Sequence, residues 1–513
     1  MTVSSINPRT GLVEEDLGAE STAEQVAATC RAAAEAAVLL AAADRGVRSA
    51  LLRAAAEELE ATRAEILAIA DRETALGTTR LDGELNRTCY QLRHIADVVD
   101  DGALLEVAVD PAGPTPAGPR PELHRMLVPL GPVAVFGASN FPLAFSVPGG
   151  DTAAALAAGC PVVVKAHPAH PATSALTFGC LARAVARVGL PAGTVGMVQG
   201  HEAGQALVQD PHIQAVGFTG SLAGGRALFD LAASRPSPIP FYGELGSINP
   251  LVVAPGAAAV RAAEIAEGYV GSMTLGAGQF CTKPGLALVP REHAAEIREH
   301  LGRALGAAGP AWLLSEGIHR AFRTGVADRA AHPHLNPVRA AGGPAAPVAE
   351  PTGYLAEPAL FWTTTDDLDE AAELVLEECF GPVAVVVEYS GTADLLAALA
   401  RVPGSLTGTL HAEEEDAELA AVVLPALASN VGRVVYNGFP TGLAVAWGTT
   451  HTGPYPSSTS VTHSSVGASS VRRFQRPVTY QAVPEHLLPR ALQAEGLRAT
   501  PRRLDGESVP TGG

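Results

Sequence analysis

The stretch VAVFGASNFPLAFSVPGGDTAAALAAGCPVVVK, residues 133–165, holds a complete strand–helix–strand unit. Two short apolar runs, 133–137 and 161–165, flank an alanine-rich segment of helical composition. Continuous apolar strands that alternate with helices are typical of a parallel sheet covered on both faces. The alternation continues with VGMVQ (195–199) and QAVGF (214–218). The sequence therefore predicts a doubly wound α/β domain.

A second alternation of the same kind follows further along the chain. Its strand-like runs are PLVV (250–253), GLALVP (285–290), VAVVVEY (383–389) and RVVYN (433–437). Upstream, residues 22–99 have apolar positions at helical spacing, which predicts two or three amphipathic helices. The low-complexity stretch 339–353 is expected to form an exposed loop, and residues 499–513 a frayed tail. The pattern indicates two α/β domains.

Composition narrows the class of protein. A chain of 513 residues with 47% hydrophobic and 17% charged residues is typical of a folded protein of two or three domains. Its net charge of −18 argues against a nucleic-acid partner. The charge-free stretch 126–150 contains four prolines, which exclude a membrane-spanning helix there. No secretory leader pattern is visible, so we expect no membrane partner and a cytoplasmic location.

Cysteine and lysine are used sparingly. The six cysteines are scattered without a CxxC spacing, so neither a disulfide framework nor a metal site is expected. Lysine occurs only at Lys165 and Lys283, which draws attention to both positions.

Three glycine-bearing turns follow predicted strands, although the dinucleotide fingerprint GxGxxG is absent. They are FGASNFP (136–142), QGHEAGQ (199–205) and GFTGSLAGGR (217–226). In the last turn, Gly220, Ser221 and Gly225 lie where free backbone N–H groups can receive a pyrophosphate. The alternative is an ordinary strand-to-helix turn with a serine N-cap.

Two residues carry candidate chemistry. Cys281 lies in the glycine-rich turn TLGAGQFCTKPG, where an exposed thiolate can act as a nucleophile, and Lys283 is two residues away. The alternative for this cysteine is a small buried apolar residue. Glu244 in FYGELGSINP follows an apolar run and is a candidate general base, or else a loop ion-pair partner.

Six motifs together resemble a known family. NFP, VVVK, GFTGS, ELG, GQFC and EECFGPV occur in the order and spacing of the aldehyde dehydrogenase superfamily, over about residues 5–485. Residues 137–174 and 244–250 further resemble the branch of 2,5-dioxopentanoate (α-ketoglutaric semialdehyde) dehydrogenases and luminous-bacterial fatty aldehyde dehydrogenases.

The resemblance implies a domain plan. It predicts two doubly wound α/β domains with an oligomerisation arm, in a homodimer or a dimer of dimers. The expected ranges are a nucleotide-binding domain at 1–110 and 131–245, a catalytic domain at 246–469, an arm at 111–130 and 470–485, and a C-terminal tail at 486–513.

The resemblance also implies roles for single residues. Cys281 would attack the aldehyde, Asn140 would stabilise the oxyanion, and Glu244 would activate water for thioester hydrolysis. The implied contacts to the cofactor are Lys165 on the adenosine ribose, Gly200 and Gly204 on the adenine side, Gly220, Ser221 and Gly225 at the pyrophosphate, and Glu378 and Phe380 at the nicotinamide.

Two departures from the family pattern bear on specificity. Many NAD-preferring members have a glutamate three positions after the ribose-binding lysine, whereas this chain has Pro168. The missing carboxylate favours NADP, with His167 and Lys165 near the phosphate and NAD also usable. The segment 439–460 departs from the common pattern, so substrate contacts are sought elsewhere, at Arg87 and Gln91 on one helix face. Their alternative is an ordinary solvated surface.

The predicted function is NAD(P)-dependent oxidation of a small aldehyde, namely 2,5-dioxopentanoate to 2-oxoglutarate. The alternatives are a long-chain fatty aldehyde dehydrogenase, a CoA-acylating enzyme, against which Glu244 argues, and a catalytically silent binding protein on the same fold.

Overall fold

The computed structural model describes residues 2–338 and 353–512. The predicted exposed loop at 339–353 therefore lies, except for Gly353, outside the described residues. The N-terminal part is a β-hairpin followed by helices. Its elements are β1 (Thr2–Asn7), β2 (Leu12–Ala19), α1 (Ala23–Ala42), α2 (Arg45–Ala61), α3 (Arg63–Thr74) and α4 (Thr78–Asp101).

The sequence predicted two or three helices in this part, whereas the structure has four, α1 to α4. Thr62, with φ of −100° and ψ of 7°, separates α2 from α3 without interrupting the apolar spacing. Among the described helices, α1 is the one whose length and hydropathy would suffice to cross a bilayer. Its residues Val26, Cys30 and Ala33 instead pack in a core cluster with strands of the first large sheet.

That sheet is parallel and has the strand order β11-β10-β7-β8-β9. Four short strands precede this sheet in the chain: β3 (Val107–Asp110), β4 (Gly113–Thr115), β5 (Gly118–Arg120) and β6 (Leu123–Pro129). The strands of the sheet and the helices between them are β7 (Val133–Phe136), α5 (Gly150–Ala158), β8 (Val162–Ala166), α6 (Pro171–Arg187), β9 (Val195–Gln199), α7 (His201–Gln209), β10 (Ala215–Thr219), α8 (Leu222–Ala233) and β11 (Phe241–Glu244). Core clusters cover both faces, so the predicted doubly wound domain is confirmed.

The second large sheet has the order β15-β17-β18-β13-β12-β19-β20 and is parallel except at β15. Its elements are β12 (Pro250–Val253), α9 (Pro255–Thr274), β13 (Leu286–Pro290), α10 (Ala294–Ala307), β14 (Ala311–Trp312), α11 (Glu316–Ala331), β15 (Asn336–Pro337), β16 (Leu355–Ala356), β17 (Ala359–Thr364), α12 (Leu368–Leu376), β18 (Val383–Tyr389), α13 (Thr392–Arg401), β19 (Ser405–His411), α14 (Ala417–Ala428) and β20 (Val431–Tyr436). Two further clusters cover its faces, as the second alternation predicts.

A smaller sheet of order β21-β6-β3-β22-β23 joins the predicted arm to the C-terminus. Its remaining elements are β21 (Gln475–Gln481), α15 (Ala494–Arg498), β22 (Arg502–Leu504) and β23 (Glu507–Val509). The prediction of a frayed tail at 499–513 was wrong, because β22 pairs with β3 and Leu492 and Leu497 pack beneath this sheet. The assignment of segments 111–130 and 470–485 to an oligomerisation arm stays a prediction.

Candidate active site

The first large sheet has a switch point between β7 and β10. From β7 the chain runs outward through β8 and β9, and β10 then lies on the opposite side of β7. Ligands of doubly wound sheets bind beyond the carboxyl ends of the strands at such a point. The loops leaving β7 and β10 carry Asn140 and Gly220, and both border a cavity of about 450 Å³.

Most of the predicted site residues meet at this cavity. Its lining includes Asn140, Gly220, Ser221, Glu244, Cys281, Glu378 and Phe380. They come from both α/β units, since Ser221 caps α8 whereas Glu378 and Phe380 lie between α12 and β18. The cavity therefore lies between the two large sheets.

The other predicted cofactor residues lie along the same edge of the first sheet or beside it. Lys165 is at the carboxyl end of β8, and a Cβ at Gly204 of α7 would lie 3.7 Å from its Cγ. Gly200 precedes α7 with a φ of 108°. Gly225 is a packing residue, because a Cβ there would lie 2.1 Å from Leu245 Cδ2. Gly204 therefore lies against Lys165, and Gly225 packs against Leu245.

A turn in left-handed conformation presents Cys281. Gly276, Ala277 and Gly278 have φ values of 58°, 59° and 66°. A side chain at Gly278 is excluded, since a Cβ would lie 2.2 Å from the Gly381 carbonyl oxygen. Asn249 Nδ2 donates to the Cys281 carbonyl at 2.8 Å, and the Cys281 side chain stays half-buried.

His451, which was not among the residues predicted from the sequence, lies beside the Cys281 thiol. His451 Nε2 is 3.5 Å from Cys281 Sγ, and its Nδ1 is 3.2 Å from Glu244 Oε2. The Ser464 hydroxyl accepts the His451 backbone N–H at 3.0 Å. His451 follows Cys281 by 170 residues in a segment of irregular structure, so no local spacing signals their contact. The one signal in the sequence was that segment 439–460 departs from the family pattern and contains this histidine.

Cys281, His451 and Glu244 form a chain of two side-chain contacts with His451 in the middle. Burial alone would lower the pKa of His451, but Cys281 and Glu244 raise it to about 10. Burial raises the pKa of Glu244, an effect that the His451 hydrogen bond partly offsets. With both ring nitrogens protonated, the imidazolium can donate towards Cys281 Sγ on one side and to the Glu244 carboxylate on the other.

The stripe Arg80, Glu84, Arg87 and Gln91 on α4 contacts the loop that carries Asn140. Arg80 Nη2 donates to the Asn140 carbonyl at 2.7 Å, and Glu84 Oε1 accepts the N–H groups of Leu143 and Ala144. The buried Asn140 side chain donates through Nδ2 to the Gln279 carbonyl at 2.7 Å. An amide nitrogen has two hydrogens, so one donor remains for a ligand.

Lys283 does not supply the positive charge that its place in the sequence suggests. Its Nζ donates to the carbonyl oxygens of Cys379, Gly381 and Val383 at 2.7, 2.9 and 2.9 Å. The ammonium therefore fixes the loop that carries Glu378 and Phe380. His451 is the cation in contact with Cys281.

Arg87 and Gln91 differ in what they can reach. The Arg87 guanidinium lies 5.1 Å from the Phe145 ring, and that ring packs on His451 with 6.1 Å between centroids. Burial lowers the pKa of Arg87, against the effects of Glu84 and Cys281. Gln91 is 2% exposed and lies against Gly150. Only Arg87 is thus placed near Cys281.

Replacing His451 by Gln should slow the alkylation of Cys281 by iodoacetamide at pH 7 by at least about tenfold, because the cation beside the sulfur is lost. The rate is measured by mass spectrometry on the Cys281 peptide, with Cys281→Ser as the background control. Burial raises the pKa of Cys30, Cys89, Cys160 and Cys379, so their reaction is slow. An unchanged rate in His451→Gln would contradict this role.

Comparisons with known proteins agree with this geometry. The family model described as "Aldehyde dehydrogenase family" matches residues 1–467. Alpha-ketoglutaric semialdehyde dehydrogenase 2 of Azospirillum brasilense is 44% identical over 90% of this chain and 87% of its own length. Alpha-ketoglutaric semialdehyde dehydrogenase of Acinetobacter baylyi is 38% identical over 96% and 93%.

Solved structures share the fold. A mutant of aldehyde dehydrogenase C from Pseudomonas syringae, bound to NAD+ and octanal, matches with a TM-score of 0.78 at 20% identity, covering 94% of this chain and 93% of that one. Apo betaine aldehyde dehydrogenase from Staphylococcus aureus matches with a TM-score of 0.79 at 20% identity over the same shares. With its nucleophile turn, its switch-point cavity and these relatives, the chain belongs to the aldehyde dehydrogenase family and is an NAD(P)-dependent enzyme that oxidises aldehydes.

Proposed function

We propose that this enzyme oxidises 2,5-dioxopentanoate to 2-oxoglutarate. Two curated relatives that span nearly the whole chain are named for this semialdehyde. The observation that carries the proposal is a pair of part-buried cations near the nucleophile, Arg87 on α4 and Arg433 on β20. Burial lowers the pKa of both guanidinium groups, and the neighbouring Cys281 opposes that effect. A short aldehyde with a carboxylate at its far end complements this arrangement.

Arg87 is the better placed of the two cations for direct contact. Its Nη1 is buried and has no hydrogen-bond partner among the described residues, and its Nη2 has a long contact of 3.5 Å to the Leu443 carbonyl. The Arg433 guanidinium already has hydrogen-bond partners, because its Nη1 donates to the Gly442 carbonyl and its Nη2 to the Pro440 carbonyl. Arg87 therefore binds the substrate carboxylate, while Arg433 contributes positive potential.

The first chemical stage uses Cys281 and Asn140. The thiolate adds to the aldehyde carbon and forms a thiohemiacetal, whose oxyanion accepts hydrogen bonds from the free Asn140 amide hydrogen and the Cys281 N–H. Such preorganised donors contribute about 3 to 4 kcal/mol. A nicotinamide held beside Glu378 and Phe380 would accept the hydride released when the thiohemiacetal oxyanion collapses to a thioester.

The second stage uses Glu244 and His451. Water attacks the thioester carbon, its proton passes to the Glu244–His451 pair, and the Cys281 thiolate leaves with release of the acid. His451 is in contact with Sγ, and Glu244 orients the imidazole from its Nδ1 side. A buried carboxylate with a raised pKa is suited to accept this proton.

The residues that border the cavity are compatible with a bound nicotinamide dinucleotide. A Cβ at Gly246 would lie 2.6 Å from the Glu378 carboxylate, so glycine leaves Glu378 room beside the cavity. Glu378 and Phe380 would hold the nicotinamide end, Gly220 and Ser221 the pyrophosphate, and Lys165, Gly200 and Gly204 the adenosine end. The use of NADP as well as NAD rests on Pro168 and stays a prediction, as does the cytoplasmic location.

We further propose that two copies assemble through open sheet edges. β20 is the last strand of the second large sheet and exposes Val434 and Tyr436, and β21 is the last strand of the smaller sheet. Unpaired strand edges with apolar side chains are templates for pairing with another chain. The arm of one copy would thus extend the catalytic sheet of the other.

Glu244→Ala should form the thioester but not hydrolyse it, because the proton acceptor is lost. Rapid mixing with aldehyde and cofactor should release at most one equivalent of NAD(P)H per site, followed by little turnover. Cys281→Ala is the control and should show no burst while it still binds NADH. Unimpaired multiple turnover in Glu244→Ala would assign the base elsewhere.

Arg87→Met should raise KM for 2,5-dioxopentanoate by about ten- to a hundredfold, the range expected for a charge-assisted hydrogen bond. KM for uncharged pentanal should change little. Arg93→Met is the matched control, since Arg93 on the same helix pairs with Glu60. Equal losses for both aldehydes, or a wild-type preference for long-chain aldehydes, would contradict the proposed substrate.

Sedimentation equilibrium at micromolar concentration should give a dimer or a multiple of it. Tyr436→Lys places a charge on the β20 edge and should shift the population towards monomer. A wild-type monomer would contradict assembly through these edges.

A further inference from the structure

We propose that Glu20, in the connection between β2 and α1, contacts the cofactor at the 2′ position of the adenosine ribose and disfavours a 2′-phosphate there. Glu20 is a specificity-determining residue supplied from outside the β8–α6 loop. The inference rests on the proposed binding of a nicotinamide dinucleotide with its adenosine ribose at Lys165.

Hydrogen bonds fix the position of Glu20 on the first sheet. On either side of it, Ser21 N–H donates to the Gln199 carbonyl at 2.9 Å, and Gln199 Nε2 donates to the Ala19 carbonyl at 3.0 Å. Gln199 N–H also donates to Ser21 Oγ at 3.1 Å. Gln199 is the last residue of β9, so these contacts hold Glu20 at the carboxyl end of that strand.

The Glu20 side chain lies over the glycine that follows the strand. A Cβ at Gly200 would come within 2.6 Å of Glu20 Oε2, so the carboxylate covers the start of α7. Lys165 belongs to the adjacent strand, where it is paired with Val198. Glu20 and Lys165 therefore lie at the carboxyl ends of neighbouring strands, and neighbouring strands of a sheet are about 5 Å apart.

Glu20 and Lys165 are electrostatic neighbours without a direct ion pair. Burial lowers the pKa of Lys165 to about 8, and the Glu20 carboxylate opposes that effect. No ion pair between these two described residues is formed within 4 Å, which leaves space between the two head groups. A ribose with two adjacent hydroxyl groups suits such a space, because a carboxylate accepts from hydroxyl groups and an ammonium donates to them.

The β8–α6 loop does not supply a competing charge. His167 Nδ1 accepts the Ala169 N–H at 3.1 Å, and the ring stacks on His170 with 5.3 Å between centroids. Burial and the neighbouring His170 hold the pKa of His167 well below its ordinary value, so this ring is neutral at pH 7. Because neither His167 nor Pro168 carries a charge, the negative charge of Glu20 is not offset by these two residues at the place where a 2′-phosphate would lie.

The charge of Glu20 should favour NAD over NADP. A carboxylate beside a 2′-hydroxyl accepts a hydrogen bond, whereas the same carboxylate beside a 2′-phosphate adds like-charge repulsion. Removing the charge of Glu20 should favour NADP. Introducing an acid at position 168 should favour NAD.

The test is the ratio of the dissociation constants of NADPH and NADH, measured by nicotinamide fluorescence without substrate. Glu20→Gln keeps the size of the side chain and should shift this ratio at least about tenfold towards NADPH. Pro168→Glu should shift it in the opposite direction. Glu24→Gln, an equal change of charge at an exposed site in the first turn of α1, should leave it unchanged.

The outcomes separate this inference from the proposed function. An unchanged ratio in Glu20→Gln, or equal weakening of both cofactors, would overturn the role of Glu20 while leaving the dehydrogenase intact. A ratio that moves equally in Glu24→Gln would also overturn it, since a general field effect would then suffice. Failure of the wild-type protein to bind either cofactor would overturn the proposed function and this inference together.

Discussion

The side chain of Asn249 connects the parts of the protein on which the active site depends. Its Nδ2 donates to the carbonyls of Cys281 and Lys283, while its Oδ1 accepts the Thr407 N–H and the Ser247 hydroxyl. One buried amide thus joins the start of β12, the nucleophile turn and β19. Asn249 has a φ of 55°, a conformation that asparagine tolerates better than most residues. Three of these four hydrogen bonds are buried and the one to the Cys281 carbonyl is part-buried, so losing this side chain would leave several polar groups without partners.

The second constraint is the burial of several ionisable side chains in the active-site cleft. His451 contacts Cys281 on one side and Glu244 on the other, and burial alone disfavours the charged forms of Glu244, His451, Arg87 and Arg433. Neighbouring opposite charges and hydrogen bonds oppose this effect of burial at each of these groups. In the proposed reaction, the same residues supply the nucleophile, the proton acceptor and a positive potential for an acidic substrate. Structural and chemical roles coincide in these residues.

Much of the plan could be predicted from local sequence. The strands of both sheets that appear as short apolar runs, such as 133–137 and 383–389, were found because a strand buried on both faces needs no polar positions. Glu244 and Cys281 were candidates because each stands in a short motif beside a strand or turn, and Asn140 was implied by the family resemblance. All three line one cavity, and their catalytic roles stay predictions. β19 was missed, since its sequence SLTGTLH contains buried serine and threonine and does not form an apolar run. The C-terminal strand β22 was missed because three residues carry too little pattern.

The sequence by itself determined the two α/β alternations, the family and the residues whose chemistry depends on a local motif. The tertiary structure alone decided which distant groups meet. It placed His451 against Cys281 and Glu20 beside Lys165, and it assigned Lys283 to the carbonyls of the 379–383 loop. The physical reason is that secondary structure follows from neighbours along the chain, whereas hydrogen bonds and ion pairs between side chains depend on sheet order and burial. These are set only when remote segments pack together.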